Sequence, residues 1–272
     1  MATATATARA RRGPPRLPDW ALPWCGVATV LAVFELLSRG GVIHRRYFPA
    51  ISDTLATLWH ELFTGELWNA VGHTLEGWAL GLGIAIALAV PLGILIGSGR
   101  LLYRATRAII EFLRPIPSVA LIPLAVLVYG SGLESKVFLA AFASFWPLLV
   151  QTVYGVQDVD PVATDTARSF GFSRAQRLLR VTLPSAVPYI ATGVRISSSV
   201  ALILAVTAEL VIGAAGLGRE INLARSGGDV RLMYALIVAT GLLGWVLSAL
   251  FTRLERRVLH WHPSQRTAEG SA

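Results

Sequence analysis

The chain has 272 residues, of which 54% are hydrophobic and only 15% charged, with a formal net charge of +8 and a mean hydropathy of +0.59. A soluble domain carries about 25% charged residues, so the composition excludes an ordinary water-soluble globule and makes a bilayer the solvent for much of the chain. One cysteine, Cys25, excludes an intrachain disulfide or a cysteine-built metal site, and no G-x4-G-K-[ST] loop surrounds the single lysine, Lys136, which excludes P-loop nucleotide hydrolysis by this chain.

Residues 1–19 are low in complexity and proline-bearing, and read as a disordered tail. Arg9, Arg11, Arg12 and Arg16 precede an apolar run from Trp20, as in a signal peptide, but no small-x-small cleavage site closes that run. Bulky Trp24 beside Cys25 argues equally against a lipoprotein signal. An uncleaved first span over 20–38, with Glu35 near its end, is expected. A membrane helix needs about 20 mostly apolar residues. Runs at 77–99, 115–133, 137–157 and 232–252 meet this without a charge, and 196–217 is interrupted only by Glu209. The expected fold is all-α with six transmembrane helices. Pro115, Pro117 and Pro123 make the third span kinked or broken. In the second, Gly77, Gly81, Ala85, Ala89, Gly93 and Gly97 form a small-residue stripe that lets another helix approach, within one bundle or across a dimer seam.

Six spans put both termini on one side, and the basic residues assign that side to the cytoplasm. The tail arginines, Arg100, Arg104 and Arg107 after span two, the four arginines at 168–180, and Arg253, Arg256, Arg257 and Arg266 at the end all fall together. Fewer basic residues face outward: Arg39, Arg45, Arg46, Lys136, Arg219, Arg225 and Arg231. The positive charge is therefore topology, and nucleic-acid binding is not expected.

The cytoplasmic segment between spans four and five is "DPVATDTARSFGFSRAQRLLRVTLP", residues 160–184. Asp160-Pro161 reads as a helix N-cap with proline at the first helical position. Gly171 suits a left-handed C-terminal position, with Phe172 after it. Ser173 and Gln176 form a capping box for a second helix, which Pro184 is expected to close. Ala163, Ala167 and Phe170 share one face of the first helix, and Leu178, Leu179, Val181 and Leu183 stand between arginines on the second. Two readings remain open on these residues: an amphipathic hairpin lying on anionic lipid, or a docking knob in which small Thr166, Ala167 and Gly171 allow a close fit.

The segment resembles the cytoplasmic signature loop of binding-protein-dependent ABC transporter permeases, E-A-A-x3-G-x9-I-x-L-P. Asp165, Thr166 and Ala167 stand at E-A-A, Gly171 follows after three residues, and Val181-Thr182-Leu183-Pro184 after nine more. The departures are Asp for Glu, Thr for Ala and Val for Ile. "LRPIPSVALIPLAVLVYG" and "AELVIGAAGLG" are similar to permeases of the sulfonate, taurine and nitrate type, and the likeness covers roughly residues 48 to 258. The resemblance implies a type I importer fold in the cell inner membrane, with a permease domain over 20–258, coupling helices at 161–184 and a cytoplasmic tail at 259–272. It implies cytoplasmic ABC ATPase subunits that bind ATP and Mg, a second permease copy, an extracytoplasmic substrate-binding protein and surrounding lipid. This chain would bind no cofactor and hold no catalytic residue. Asp165, Thr166, Ala167, Gly171, Val181, Leu183 and Pro184 would meet the ATPase. The solute implied is small and anionic: an aliphatic sulfonate, taurine or nitrate. A vitamin-precursor permease is the nearest alternative. A secondary transporter is the next, although that class favours repeated halves and several ion-site carboxylates.

Glu209, Ser198 and Pro117 are the candidate pathway residues. A carboxylate within a span is costly, and marks a pathway or a buried pair; for Glu209 the expected partners are Arg219 and Arg225. Ser197, Ser198 and Ser199 present hydroxyls to an anion or bond back to their own helix. Glu111 and Arg114 are expected to pair at the start of span three. His260 and His262 read as surface histidines rather than as metal ligands.

Overall fold

A computed structural model describes residues 22–41, 44 and 47–258. Both tails, Arg45, Arg46 and the His260/His262 pair lie outside the described residues. Among those residues all regular structure is helical. The chain divides into two compact units, Met1–Leu55 and Ala56–Ala272.

In the first unit α1 (Leu22–Arg39) leads by a loop to α2 (Ile51–Glu61), whose first turn belongs to the same unit. Glu35 brackets the two. Its carboxylate accepts from Arg39 Nε at 2.6 Å, from Ser52 Oγ at 2.8 Å and from the Ser52 amide at 3.2 Å. The charge expected near the end of the first span thus ties the end of α1 to the start of α2. At about 1.5 Å per residue, 18 residues reach about 27 Å. That length lies within the range of about 17–25 residues that a membrane helix takes.

The second unit contains α3 (Gly65–Ser98), α4 (Arg100–Leu113), a 3-10 turn at Ser118–Leu121, α5 (Ile122–Tyr129), α6 (Leu133–Gln157), α7 (Pro161–Ser169), α8 (Arg174–Arg177), α9 (Leu183–Ile212), α10 (Leu217–Gly227) and α11 (Val230–Val258). Among the described residues four helical stretches are long and apolar enough to cross a membrane: α3, α6, Arg174–Ile212 and α11. A fifth crossing exists only if α4 and the stretch 118–129, bent by 80°, count as one span. Six spans are expected from the sequence, and among the described residues four or five meet these limits. The run 115–133 is no straight helix, because its prolines leave α5 with eight residues, about 12 Å of rise, and the crossing must borrow α4.

The core is built on α6, with α3 on one side and α9 on the other. The small-residue stripe of α3 runs parallel to α6 at constant register, placing Gly77 on Lys136, Gly81 on Ala140, Gly93 on Thr152 and Gly97 on Val156. A Cβ on Gly81 would lie 2.6 Å from that of Ala140, and one on Gly97 would lie 2.8 Å from that of Val156. This close approach is made inside a single chain. On its other side α6 meets α9 antiparallel, with Gly155 against Tyr189 and Gly193 against Leu148 and Gln151. Gly81→Val should therefore force α3 and α6 apart at a cost of about 1–3 kcal/mol. Gly83→Ala, where a Cβ meets nothing within 4 Å, should be neutral or slightly stabilising. Thermal midpoints of the purified protein in detergent check both: Gly81→Val should melt several degrees lower and Gly83→Ala should not.

Candidate functional site

The segment after α6 forms a compact knob. The Asp160 side chain accepts from the Val162 amide at 2.8 Å and caps α7. Gly171, at φ +77°, ends that helix: its N–H donates to Arg168 O at 2.9 Å and the Phe172 N–H donates to Ala167 O at 3.0 Å. Those two bonds are a Schellman cap, which satisfies the last carbonyls of α7. Ser173 and Gln176 close the capping box of α8 with bonds of 2.8 and 3.3 Å. Ala167 is buried, while Asp165, Thr166 and Gly171 are exposed. Asp165 and Arg168 pair at 3.6 Å in full exposure, where such a pair contributes little. Val162, Leu179 and above all Phe170, 79% exposed, leave apolar surface open on the knob. Asp160→Ala should fray α7, and amides 162–164 should exchange about fivefold faster, the usual cost of a lost cap; mass-detected hydrogen exchange reads this directly.

Pro184 does not close the second helix. A π turn at Leu178–Thr182, with the Leu183 N–H donating to Leu178 O, carries α8 directly into α9. A proline removes one backbone donor and crowds the carbonyl a turn earlier. The wider i→i+5 spacing just upstream absorbs both effects. Arg174–Ile212 is consequently one helical stretch of 39 residues. Val181 and Leu183 are half-buried near its base, where Pro184 is exposed. Asp158, Asp160, Arg180, Val181, Pro184 and Tyr189 line an open cleft of about 830 Å³ beside it. In that cleft the Tyr189 hydroxyl donates to Asp158 Oδ2, and the Arg180 guanidinium lies 5.7 Å from the Phe172 ring centroid.

At the far end of α9, Glu209 is 0% exposed and pairs with Lys136, 2% exposed, at 3.0 Å. The partner is Lys136 rather than Arg219 or Arg225. All three ammonium donors are used, on Glu209 Oε1, on His73 O at 2.7 Å and on Ala215 O at 2.9 Å. Glu209 Oε2 accepts from Thr74 Oγ1 and from the Gly218 amide, each at 3.0 Å, and Thr74 Oγ1 accepts from the Leu217 amide at 2.9 Å. The carboxylate therefore sits at the N-terminus of α10, where the helix dipole favours an anion. Gly213, at φ +79°, ends α9 so that the chain folds back over the carboxylate. At Gly218 there is no room for a side chain, since a Cβ would lie 2.7 Å from that of Glu209. One sequence signal pointed to this pair: the only lysine of the chain opens one apolar run, and a lone carboxylate interrupts another.

The remaining candidates lie apart. Ser197 and Ser198 are buried: the Ser197 hydroxyl donates across to Ser144 O of α6 at 2.7 Å, and Ser198 O accepts from Trp78 Nε1 at 3.0 Å. Ser199 is exposed, as is Pro117 in the break before the 3-10 turn. Glu111 pairs with Arg107 at 2.7 Å, one turn back on α4, rather than with Arg114. Glu255 of α11 meets Arg195 of α9 at 3.2 Å and accepts from Thr192 Oγ1 at 3.2 Å. Among the described residues no three His, Cys, Asp or Glu side chains are grouped to hold a metal ion.

Residues 89–260, which include the knob, α9 and the Lys136–Glu209 pair, match the family described as binding-protein-dependent transport system inner membrane component. The chain belongs to this family of ABC transporter permeases. It is thus a membrane transport subunit rather than an enzyme, and the ATPase of such a system is a separate subunit. It is 32% identical to a probable ABC transporter permease of Brucella melitensis over 84% of this chain and 91% of that protein. It is 34% identical to the taurine transport system permease protein of Escherichia coli, over 72% of this chain and 71% of that one. With the putative aliphatic sulfonates transport permease protein of Escherichia coli the identity is 29%, over 92% and 95% of the two chains. Among solved structures, an inward-facing MetNI methionine ABC transporter matches at a TM-score of 0.64 with 20% identity, covering 73% of this chain and 98% of that chain. At that identity the likeness concerns the fold, which is that of the type I importer permeases.

Proposed function

We propose that two copies of this permease form the membrane pathway of an ATP-driven importer for a small anionic solute such as an aliphatic sulfonate, taurine or nitrate, and that residues 160–184 receive the stroke of a cytoplasmic ATPase. The observation that carries this reading is the unbroken helical stretch Arg174–Ile212, which joins the knob to the buried Lys136–Glu209 clamp. A hairpin that only rests on lipid needs no rigid connection to the bundle. A lever does. Asp165, Thr166, Ala167 and Gly171 present the contact surface, and Val181, Leu183 and Pro184 form the base through which movement enters α9. At the other end the clamp fixes α9 to α3 and α6, so the three helices move as one body between inward-open and outward-open states. The arginine distribution puts the knob and both termini in the cytoplasm and the clamp on the extracytoplasmic side, where a substrate-binding protein delivers the solute. ATP and Mg belong to the ATPase, and this chain binds no cofactor. Relatives named for sulfonates and taurine support the anionic solute.

The test is uptake into proteoliposomes that hold the permease with its ATPase, supplied with the binding protein. ATP-dependent accumulation of methanesulfonate, taurine or nitrate is expected. Accumulation driven by an ion gradient, with no need for the ATPase, would instead establish a secondary transporter.

A further inference from the structure

The bent stretch between α3 and α6 carries three exposed arginines, Arg100, Arg104 and Arg114, that form no ion pair among the described residues. No residue of α4 is buried, and Arg107 and Glu111 on it neutralise one another at 2.7 Å. Arg114 follows at the C-terminus of the helix, and its guanidinium has no hydrogen-bond or ion-pair partner among the described residues. It lines a cavity of about 100 Å³ between α4 and α6, together with Tyr103, Arg107, Glu111, Val150 and Tyr154. Water occupies about 30 Å³ per molecule in the liquid, so the cavity takes about three waters or one head group of four or five heavy atoms.

We propose that Arg114 and this cavity form a subsite for the head group of a monovalent oxyanion, sulfonate or nitrate. The subsite rests on the reading of the permease as an anion importer. A planar guanidinium offers parallel N–H donors that match two oxygens of such a head group. Tyr103 and Tyr154 bring phenol groups to the same lining, and Val150 forms part of an apolar wall that lowers the local dielectric and strengthens those bonds. Of the three exposed, unpaired arginines of this stretch, Arg114 is the one that lines the cavity. Because Glu111 cancels Arg107, the lining carries a single net positive charge. That balance suits a monoanion and disfavours a dianion such as sulfate.

The experiment is equilibrium binding of methanesulfonate and of nitrate to the purified permease–ATPase complex without binding protein, followed by titration calorimetry. The wild type should bind both in roughly the millimolar range, as befits one charged contact. Arg114→Gln should weaken binding at least about tenfold, and Arg114→Lys, which keeps the charge but not the fork, should fall between. Glu111→Gln should raise the affinity for sulfate. Equal affinities in wild type and Arg114→Gln, or no binding by the wild type, would overturn the subsite. If Arg114→Gln does not assemble, Arg114→Lys decides: a loss of about threefold or more supports the subsite and an unchanged affinity overturns it. Failure of the underlying reading looks different, since the reconstituted wild type would then import no anion at all. A wild type that imports methanesulfonate while binding is indifferent to residue 114 sinks the subsite alone.

Discussion

Replacing Lys136 by methionine is expected to remove most of the folded protein, as is replacing Glu209 by leucine, whereas the double replacement should recover a large part of it. Each single change leaves one buried charge without its partner, at a cost of about 3–5 kcal/mol, a large share of a typical stability of about 5–15 kcal/mol. The double change removes both charges, and apolar replacement of a buried pair is often close to neutral. Here it stays below wild type, because Thr74, the Gly218 amide and the carbonyls of His73 and Ala215 lose partners and unmet buried polar groups cost about 1–3 kcal/mol each. A charge swap, Lys136→Glu with Glu209→Lys, should fare worse than the apolar pair. Donors converge on position 209 and carbonyls on position 136, so a swapped pair meets the wrong dipoles at both ends. Thermal midpoints of the four proteins in detergent give the coupling free energy, expected to exceed about 2 kcal/mol. Simple additivity would mean that the two side chains do not act as a unit.

Gly171→Trp is expected to abolish association with the ATPase, with Gly171→Asn as its control. At φ +77° any side chain is strained, by about 1 kcal/mol, and asparagine tolerates the conformation best. A Cβ there meets no atom within 4 Å, so the bulk of tryptophan falls outside the chain and not into it. Both variants should keep similar thermal midpoints. Only the tryptophan should reduce the ATPase recovered on affinity purification, by tenfold or more. Full recovery of the ATPase with Gly171→Trp would place the docking surface elsewhere.

How much was legible in the sequence follows the range of each interaction. Asp160, Gly171 and the Ser173/Gln176 pair act over two to five residues, so the caps of α7 and α8 were readable from spacing alone. Pro184 misleads because the general rule has an exception that depends on hydrogen-bond spacing upstream, and the π turn leaves no mark in the residue pattern. The break in the run 115–133 was readable from Pro115, Pro117 and Pro123, but the part taken by α4 was not, because hydropathy counts apolar residues and not how far they reach. The stripe from Gly77 to Gly97 announces a close approach but not its partner, which emerges only when Ala140, Thr152 and Val156 are seen at the matching four-residue period on α6. Glu111 has arginines at both helical distances, Arg107 before it and Arg114 after it. The regular turns of α4 favour the first, whereas Arg114 stands at the helix end before Pro115. Lys136 and Glu209 are 73 positions apart, beyond any local pattern, and only packing of α3, α6 and α9 brings them together.

The role of the knob is tested most directly by a photo-crosslinking amino acid at Phe170, the large apolar side chain standing 79% exposed on its surface, in a complex assembled in native membranes. A transmitter of the ATPase stroke yields an adduct between this permease and the ATPase subunit, in high proportion and changing with nucleotide. Adducts with lipid alone, or none with the ATPase in any nucleotide state, would show that the segment lies on the bilayer and that the energy enters the permease by another route.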